Sequence, residues 1–148
     1  MKRIIFILFI TLGLTHAQDY KVVFDCSSSD AHFIKSRMWL VGKTIDMIEE
    51  RGEKVDVALT LHGGCVPMVS EDYDMITADK DITDIKQAQA YLKSLSQRKN
   101  VKIIACQMSL ASNNIDKSTV LTFVNISPNS FLDTIAYQNN GYAIMTFK

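Results

Sequence analysis

The sequence contains few prolines and cysteines, has no excess of either charge, and lacks the motifs on which many common enzyme sites are built. Two prolines and three cysteines occur among 148 residues, and 16 basic side chains balance 16 acidic ones. Neither the glycine-rich loop that binds nucleotide phosphates nor the G-x-S-x-G turn of serine hydrolases is present. Nucleotide-dependent and esterase sites of those kinds are therefore excluded. The balanced charge also gives no indication of a nucleic-acid or anionic-membrane partner.

The three cysteines, Cys26, Cys65 and Cys106, are too few for a fold that depends on disulfides. No two of them have the Cys-x-x-Cys spacing of a zinc knuckle, and nothing in the sequence indicates a cofactor. An odd number leaves at least one thiol without a partner in the same chain. That thiol is the first candidate for chemistry.

Long hydrophobic runs are absent except at the N-terminus. Residues 4–14 are almost wholly apolar, Lys2 and Arg3 precede them, and Ala17 ends a short segment of the kind that signal peptidases cleave. The run has 11 residues, whereas a spanning helix needs about 20. We therefore predict a signal peptide over residues 1–17 and a mature domain over residues 18–148. This places the protein in the periplasm or outside the cell, with no membrane attachment after cleavage. An uncleaved anchor or a buried first strand is the alternative.

Apolar runs alternate with helical patterns along the predicted mature domain. A long helix is indicated by apolar residues at spacings of three and four, from Ile34 to Ile48. Continuous apolar runs predict five strands, at residues 20–26, 55–61, 101–106, 120–126 and 142–147. Alternation of this kind is typical of an α/β domain with a mainly parallel sheet and helices on both faces. Continuous rather than alternating apolar runs predict strands that are buried on both sides.

The predicted topology brings the cysteines to one edge of the sheet. Cys26 ends the first strand, Cys106 ends the third, and His62 and Cys65 follow the second. Because parallel strands end at a common edge, we expect these four residues to gather where open α/β sheets hold their ligands. For each cysteine the alternative is a buried apolar filler, and His62 could be a structural histidine.

Cys106 is the strongest candidate for a functional thiol. A cysteine that leaves a strand and enters a helix N-terminus meets unpaired backbone N–H groups, which stabilise the thiolate. Cys65 lies in a glycine-flanked turn, so we predict an accessible side chain for it.

At these residues the sequence resembles the DsrE/DsrF-like sulfur-relay family. The resemblance lies in Thr60-Leu61-His62-Gly63, in the strand that ends at Cys106, and in the segment of residues 137–143. It implies a three-layer α/β/α fold with a five-stranded parallel sheet, and assembly into trimers or hexamers. It also implies that sulfur is carried as a persulfide on Cys106. Cys26 and Cys65 are not part of the motif, and the relay members of the family are cytoplasmic.

The first functional hypothesis is a sulfur carrier or sulfurtransferase, with a donor or acceptor protein as partner. Cys106 would hold the sulfur, Cys65 would act as a resolving thiol, and His62 would stabilise the thiolate or move a proton.

Two alternatives remain open from the sequence. Thiolates and an imidazole would suit a zinc- or copper-binding or small-ligand module. A disulfide between Cys65 and Cys106 would instead make the protein an oligomeric scaffold without catalysis, provided the strand order brings the two residues together.

Overall fold

The structure, a computed structural model, describes residues 19–148. The predicted signal peptide lies outside the described residues, so its cleavage stays a prediction. Five strands are present: β1 (Asp19–Cys26), β2 (Lys54–Leu61), β3 (Val101–Cys106), β4 (Asn125–Ser127) and β5 (Ala143–Phe147). They form one sheet in the order β4-β3-β2-β1-β5, and every neighbouring pair is parallel. The predicted α/β class and the five-stranded parallel sheet are confirmed.

The helices lie on both sides of this sheet. They are α1 (Ala31–Glu49), α2 (Tyr73–Ile76), α3 (Ile82–Ser96), α4 (Gln107–Ser112) and α5 (Ser130–Asn139), with two 3-10 helices at Gly63–Val69 and Lys117–Thr119. Helices α1 and α3 pack against each other and against one face. Helix α5 contacts β1, β2 and β5 from the other side, since the chain returns across the sheet between β4 and β5. None of the helices described is long and apolar enough to cross a membrane.

The first helix forms where its apolar spacing predicts it. Asp30 precedes it in an extended conformation, and its side chain accepts a hydrogen bond from the backbone N–H of Phe33 at 2.9 Å. This cap satisfies one of the free N–H groups at the start of the helix. The apolar face of this helix is buried in the core, as Ile34, Met38 and Ile45 have no exposed surface.

The fourth strand is shorter than the sequence predicts. The apolar run predicts a strand over residues 120–126, but only Asn125–Ser127 pair with β3. Val120 makes an isolated antiparallel bridge with Ser70, and Val124 is buried in the core. The apolar side chains of this run pack into the core from a turn, so apolar character alone did not indicate a strand.

The last strand is also less enclosed than predicted. We expected strands buried on both faces, but β5 lies at the edge of the sheet and four of its five residues are exposed. Ile144 and Met145 are exposed by 38% and 54% of their surface. An apolar edge strand of this kind can pair with another chain.

Side-chain alternation divides the sheet into two chemically different faces. On the face that carries α1 and α3, the strands contribute to the main core with Cys26, Leu61 and Ala105, which lie side by side in the register. The residues one position earlier, Asp25, Thr60 and Ile104, also lie side by side and face the other way. The second face is therefore partly polar at its carboxyl end.

Candidate functional site

Cys106 is the last residue of β3 and directly precedes α4. It is the free cysteine of the described residues and is 4% exposed. Cys106 lies two positions after Ile104, so its side chain is on the same face of the sheet as those of Asp25 and Thr60. The structure therefore places this thiol at the carboxyl end of the sheet, as the sequence predicts.

Groups from the starts of two helices lower the pKa of the Cys106 thiol. Burial raises the pKa of the thiol, but the backbone N–H and hydroxyl groups of Ser109 and Ser130 outweigh burial and hold the pKa below its usual value. Ser109 lies in the first turn of α4, and Ser130 is the first residue of α5 and is 5% exposed. Donors of this kind stabilise the thiolate, the form that acts as a nucleophile.

A second group of polar side chains lies beside this thiol. The Nε2 atom of His62 lies 3.1 Å from Oδ1 of Asp25, and the Thr60 hydroxyl donates to the same oxygen at 2.7 Å. The hydrogen bond to Asp25 raises the pKa of His62; burial opposes this, and the negative charges of Asp25 and Cys106 add to the increase. His62 and Cys106 each follow the register pair of Leu61 and Ala105 by one residue, so they lie at neighbouring strand ends, where their charges interact.

The pKa of Asp25 shifts in the opposite direction. Burial raises it, but hydrogen bonds from His62 and Thr60 and the positive charges of His62 and Lys148 bring it below its usual value. Asp25 therefore carries a negative charge at neutral pH although it is only 9% exposed. The motifs and apolar patterns of the sequence did not indicate Asp25. Its signal was a charged residue inside the apolar run of β1, next in register to the polar Thr60 of β2.

The turn after β2 is attached to both neighbouring segments. The N–H of His62 donates to the carbonyl of Cys26 at 2.9 Å. The N–H of Gly63 donates to the hydroxyl of Ser109 at 3.0 Å, and Asn113 donates to the carbonyl of Gly63 at 3.4 Å. Ser109 consequently connects the His62 turn to the donors around Cys106.

The disulfide in the structure joins Cys26 and Cys65, whose Cα atoms are 5.9 Å apart. Neither residue has exposed surface, and both belong to the main core. The predicted accessibility of Cys65 is therefore wrong, and so is the proposed bond between Cys65 and Cys106. Strand β2 lies between β1 and β3, and alternation turns Cys26 and Cys106 toward opposite faces of the sheet. Of the three residues predicted for the site, the structure brings His62 and Cys106 together and places Cys65 elsewhere without a free thiol.

The metal-binding alternative gains no support from the described residues. Between residues 19 and 148 there is no group of three or more His, Cys, Asp or Glu side chains that could hold a metal ion. Two of the three thiols that the alternative requires are bonded to each other.

The arrangement of a strand-end cysteine, a following short helix and a five-stranded parallel sheet agrees with the match to a family model. The DsrE/DsrF-like model matches residues 21–147, which is nearly all of the described chain. The chain belongs to the DsrE/DsrF-like family. This family is linked to sulfur relay.

Two further comparisons identify similar proteins whose functions are not described. An uncharacterized protein from Aquifex aeolicus (strain VF5) is 32% identical over 148 residues, which cover 99% of this chain. The chain spans 64% of the length of that relative. A solved structure of a protein of unknown function from Methanobacterium thermoautotrophicum superposes with a TM-score of 0.64, at 19% identity, over 87% of this chain and 100% of the other. The second similarity supports the α/β fold alone.

Proposed function

We propose that this DsrE/DsrF-like protein is a sulfur carrier or sulfurtransferase that holds sulfur as a persulfide on Cys106. The observation that carries the proposal is the position of the free Cys106 thiol between the end of β3 and the start of α4, where Ser109 and Ser130 hold its pKa below the usual value. A persulfide carrier needs a nucleophilic thiolate that no other thiol of the chain consumes. Cys26 and Cys65 are already bonded to each other, which leaves Cys106 for this role.

The transfer needs no oxidant or reductant. The Cys106 thiolate attacks the outer sulfur of a donor such as thiosulfate, the S–S bond of the donor breaks, and sulfite leaves with the bonding electron pair. Cys106 then carries the sulfur as a persulfide anion. In the second step a thiolate of the acceptor attacks the outer sulfur, takes it as its own persulfide, and releases Cys106 as a thiolate. The raised pKa of His62 favours its imidazolium form, and that form favours the anionic sulfur in both states.

Incubation with polysulfide or thiosulfate followed by intact mass spectrometry tests this function. The wild-type protein is expected to gain about 32 Da, the mass of one sulfur atom, and to lose it on treatment with a thiol. Cys106→Ser is expected to gain nothing, because its hydroxyl does not form a persulfide. The control is wild-type protein whose Cys106 has first been blocked with iodoacetamide. A wild-type protein that gains no sulfur, or a Cys106→Ser variant that gains as much as the wild type, would refute the proposal.

We also propose that the protein acts outside the cytosol, in the periplasm or after secretion. The signal-like N-terminal segment supports this location. The buried Cys26–Cys65 disulfide supports it as well, since disulfides persist in oxidising compartments.

Assembly into a homo-oligomer is a further part of the proposal. Helix α5 exposes Phe131, Leu132 and Ile135 by 69%, 62% and 56% of their surface. Because these three residues lie close together on one short helix, they form an apolar patch of the kind that marks protein interfaces.

Light scattering coupled to gel filtration tests the assembly. We expect the wild-type protein to elute as a trimer or hexamer at micromolar concentration, and Phe131→Asp to shift it toward the monomer. Met75→Asp is the matched control, since Met75 is exposed by 83% on α2, away from α5. A monomeric wild-type protein would contradict this part of the proposal.

A further inference from the structure

Asp25 is an unusual residue for a buried position near the end of a strand. It is 9% exposed, and the neighbouring side chains on its face, Val23 and Ala58, have no exposed surface. Burial of a carboxylate is costly unless it is paired and hydrogen-bonded. In the described part of the chain its salt-bridge partner is His62, and no lysine or arginine forms a salt bridge with it. The carboxylate is thus stabilised chiefly by its contacts with His62 and Thr60.

Those contacts orient the imidazole. One oxygen of Asp25 accepts hydrogen bonds from the Thr60 hydroxyl and from Nε2 of His62. Thr60 on β2 therefore fixes the carboxylate, and the carboxylate fixes the imidazole ring. The backbone N–H of His62 is bonded to Cys26, the residue that follows Asp25. The ring and its backbone are therefore both tied to the end of β1. With Nε2 donating to Asp25, Nδ1 is the position at which the ring gains or loses its second proton.

We propose that Asp25 is a positioning residue that acts through His62: it fixes the imidazole at the carboxyl end of the sheet and supports its positive charge, which in turn favours the thiolate of Cys106. The inference rests on the proposed function in that Cys106 is taken as the reactive sulfur. Asp25 acts on that sulfur indirectly, through His62. Its contribution is electrostatic and geometric, and no bond to it forms or breaks.

The charged groups around His62 determine the direction of the pH dependence. Asp25 faces it from β1 and Cys106 from β3, and Lys148, which follows β5, acts on Asp25. The hydrogen bond and charge of Asp25 raise the pKa of His62. The imidazolium favours the thiolate below this pKa, and the effect is lost as pH rises through it. Asp25 thus extends the favourable range toward higher pH, and its removal is expected to shorten that range.

Titration of the thiolate absorbance near about 240 nm tests the inference in Asp25→Asn, with Cys106→Ser subtracted as background. The midpoint is expected to move to higher pH in the variant. At the pH where half of the wild-type thiol is ionised, about a tenth to a third of the variant thiol should be ionised. Asp46→Asn is the matched control. Asp46 pairs with Arg98 on the surface of α1, so its loss should leave the thiol titration unchanged.

A cycle with His62→Gln distinguishes positioning from a purely structural role. If Asp25 acts through His62, Asp25→Asn should shift the titration of Cys106 in the wild-type background and add little in the His62→Gln background. Nuclear magnetic resonance of the His62 ring should show its titration at lower pH in Asp25→Asn. A variant that is folded but leaves both titrations unchanged overturns the inference, as does an equal shift in the two backgrounds.

This experiment uses no sulfur donor, so its result is independent of the sulfur-loading assay. Failure of the wild-type protein to gain sulfur, with the titration shift present, would refute the proposed function and leave the role of Asp25 intact. Sulfur loading without a titration shift would refute the role of Asp25 and leave the proposed function intact.

Discussion

Replacement of Cys26 and Cys65 by alanine in a double variant is expected to lower the free energy of unfolding by about 3–4 kcal/mol. The bond closes a loop between residues 39 positions apart, and a cross-link over this separation restricts the unfolded chain to about that extent in the chain-entropy treatment. Both residues are wholly buried, so their side chains also pack in the core of the native state. Urea denaturation monitored by circular dichroism measures the change.

Reduction of the wild-type protein provides the control for this prediction. With the bond reduced, wild type and the double variant should differ only by the smaller packing contribution of the two buried sulfur atoms, because the entropic difference has been removed. Without reductant they should differ by the full amount. Equal stability of oxidised and reduced wild-type protein would show that the disulfide contributes nothing to folding stability.

The second large effect is expected at Gly64, where the turn after β2 passes against the segment after β1. A Cβ atom at this position would lie 2.6 Å from both the carbonyl oxygen of Ser28 and the Cα of Ser29. Backbone atoms cannot rotate away as a side chain can, so one of the two segments must move. We expect Gly64→Ala to cost about 3 kcal/mol.

The same displacement should reach the thiol site. Gly64 lies two residues after His62 and directly follows Gly63, whose N–H is bonded to Ser109. Gly64→Ala is therefore expected to raise the pKa of Cys106 as well as to destabilise the fold, because Ser109 loses its fixed position. Gly42→Ala is the matched control. Gly42 lies within α1, and a Cβ there would meet the side chain of Leu95 in α3 at an ordinary contact distance of 3.9 Å, so α1 should tolerate or gain from alanine. Equal stability of the two variants would contradict the prediction.

Local patterns in the sequence were sufficient for the architecture. The three- and four-residue spacing from Ile34 onward predicts α1, and the structure buries that stripe. Alternation of apolar runs with helices predicts a parallel sheet, and five parallel strands are found. The position of Cys106 at the end of a strand and the start of a helix also followed from the chain, since both elements are adjacent in sequence.

The partner of Cys65 could not be predicted, because it depends on long-range geometry. Strand order decides which strand ends are neighbours, and alternation decides which face each side chain takes. A bond from Cys65 to Cys106 was as acceptable on the sequence as one to Cys26, and only the placement of β1 beside β2 selects Cys26.

The role of Asp25 could not be predicted from the sequence for a related reason. Its importance comes from the pairing of β1 with β2, which sets Asp25 beside Thr60 and within reach of His62. These residues are separated by more than thirty positions in the chain. An aspartate in an apolar run indicates that a polar partner lies opposite it in the fold. The sequence does not identify that partner. The same limit applies to residues 120–126, whose apolar side chains indicate burial without indicating a strand.

The disulfide sulfurs lie on one face of the sheet and the free thiol lies on the other. This separation determines how many sulfur atoms one chain can carry. A chain with three cysteines and one internal disulfide has a single thiol to exchange with other molecules. Such a chain has no second thiol to release its cargo by closing a disulfide on itself. Loading therefore saturates at one equivalent per chain, and each unloading event requires a thiol supplied by another molecule.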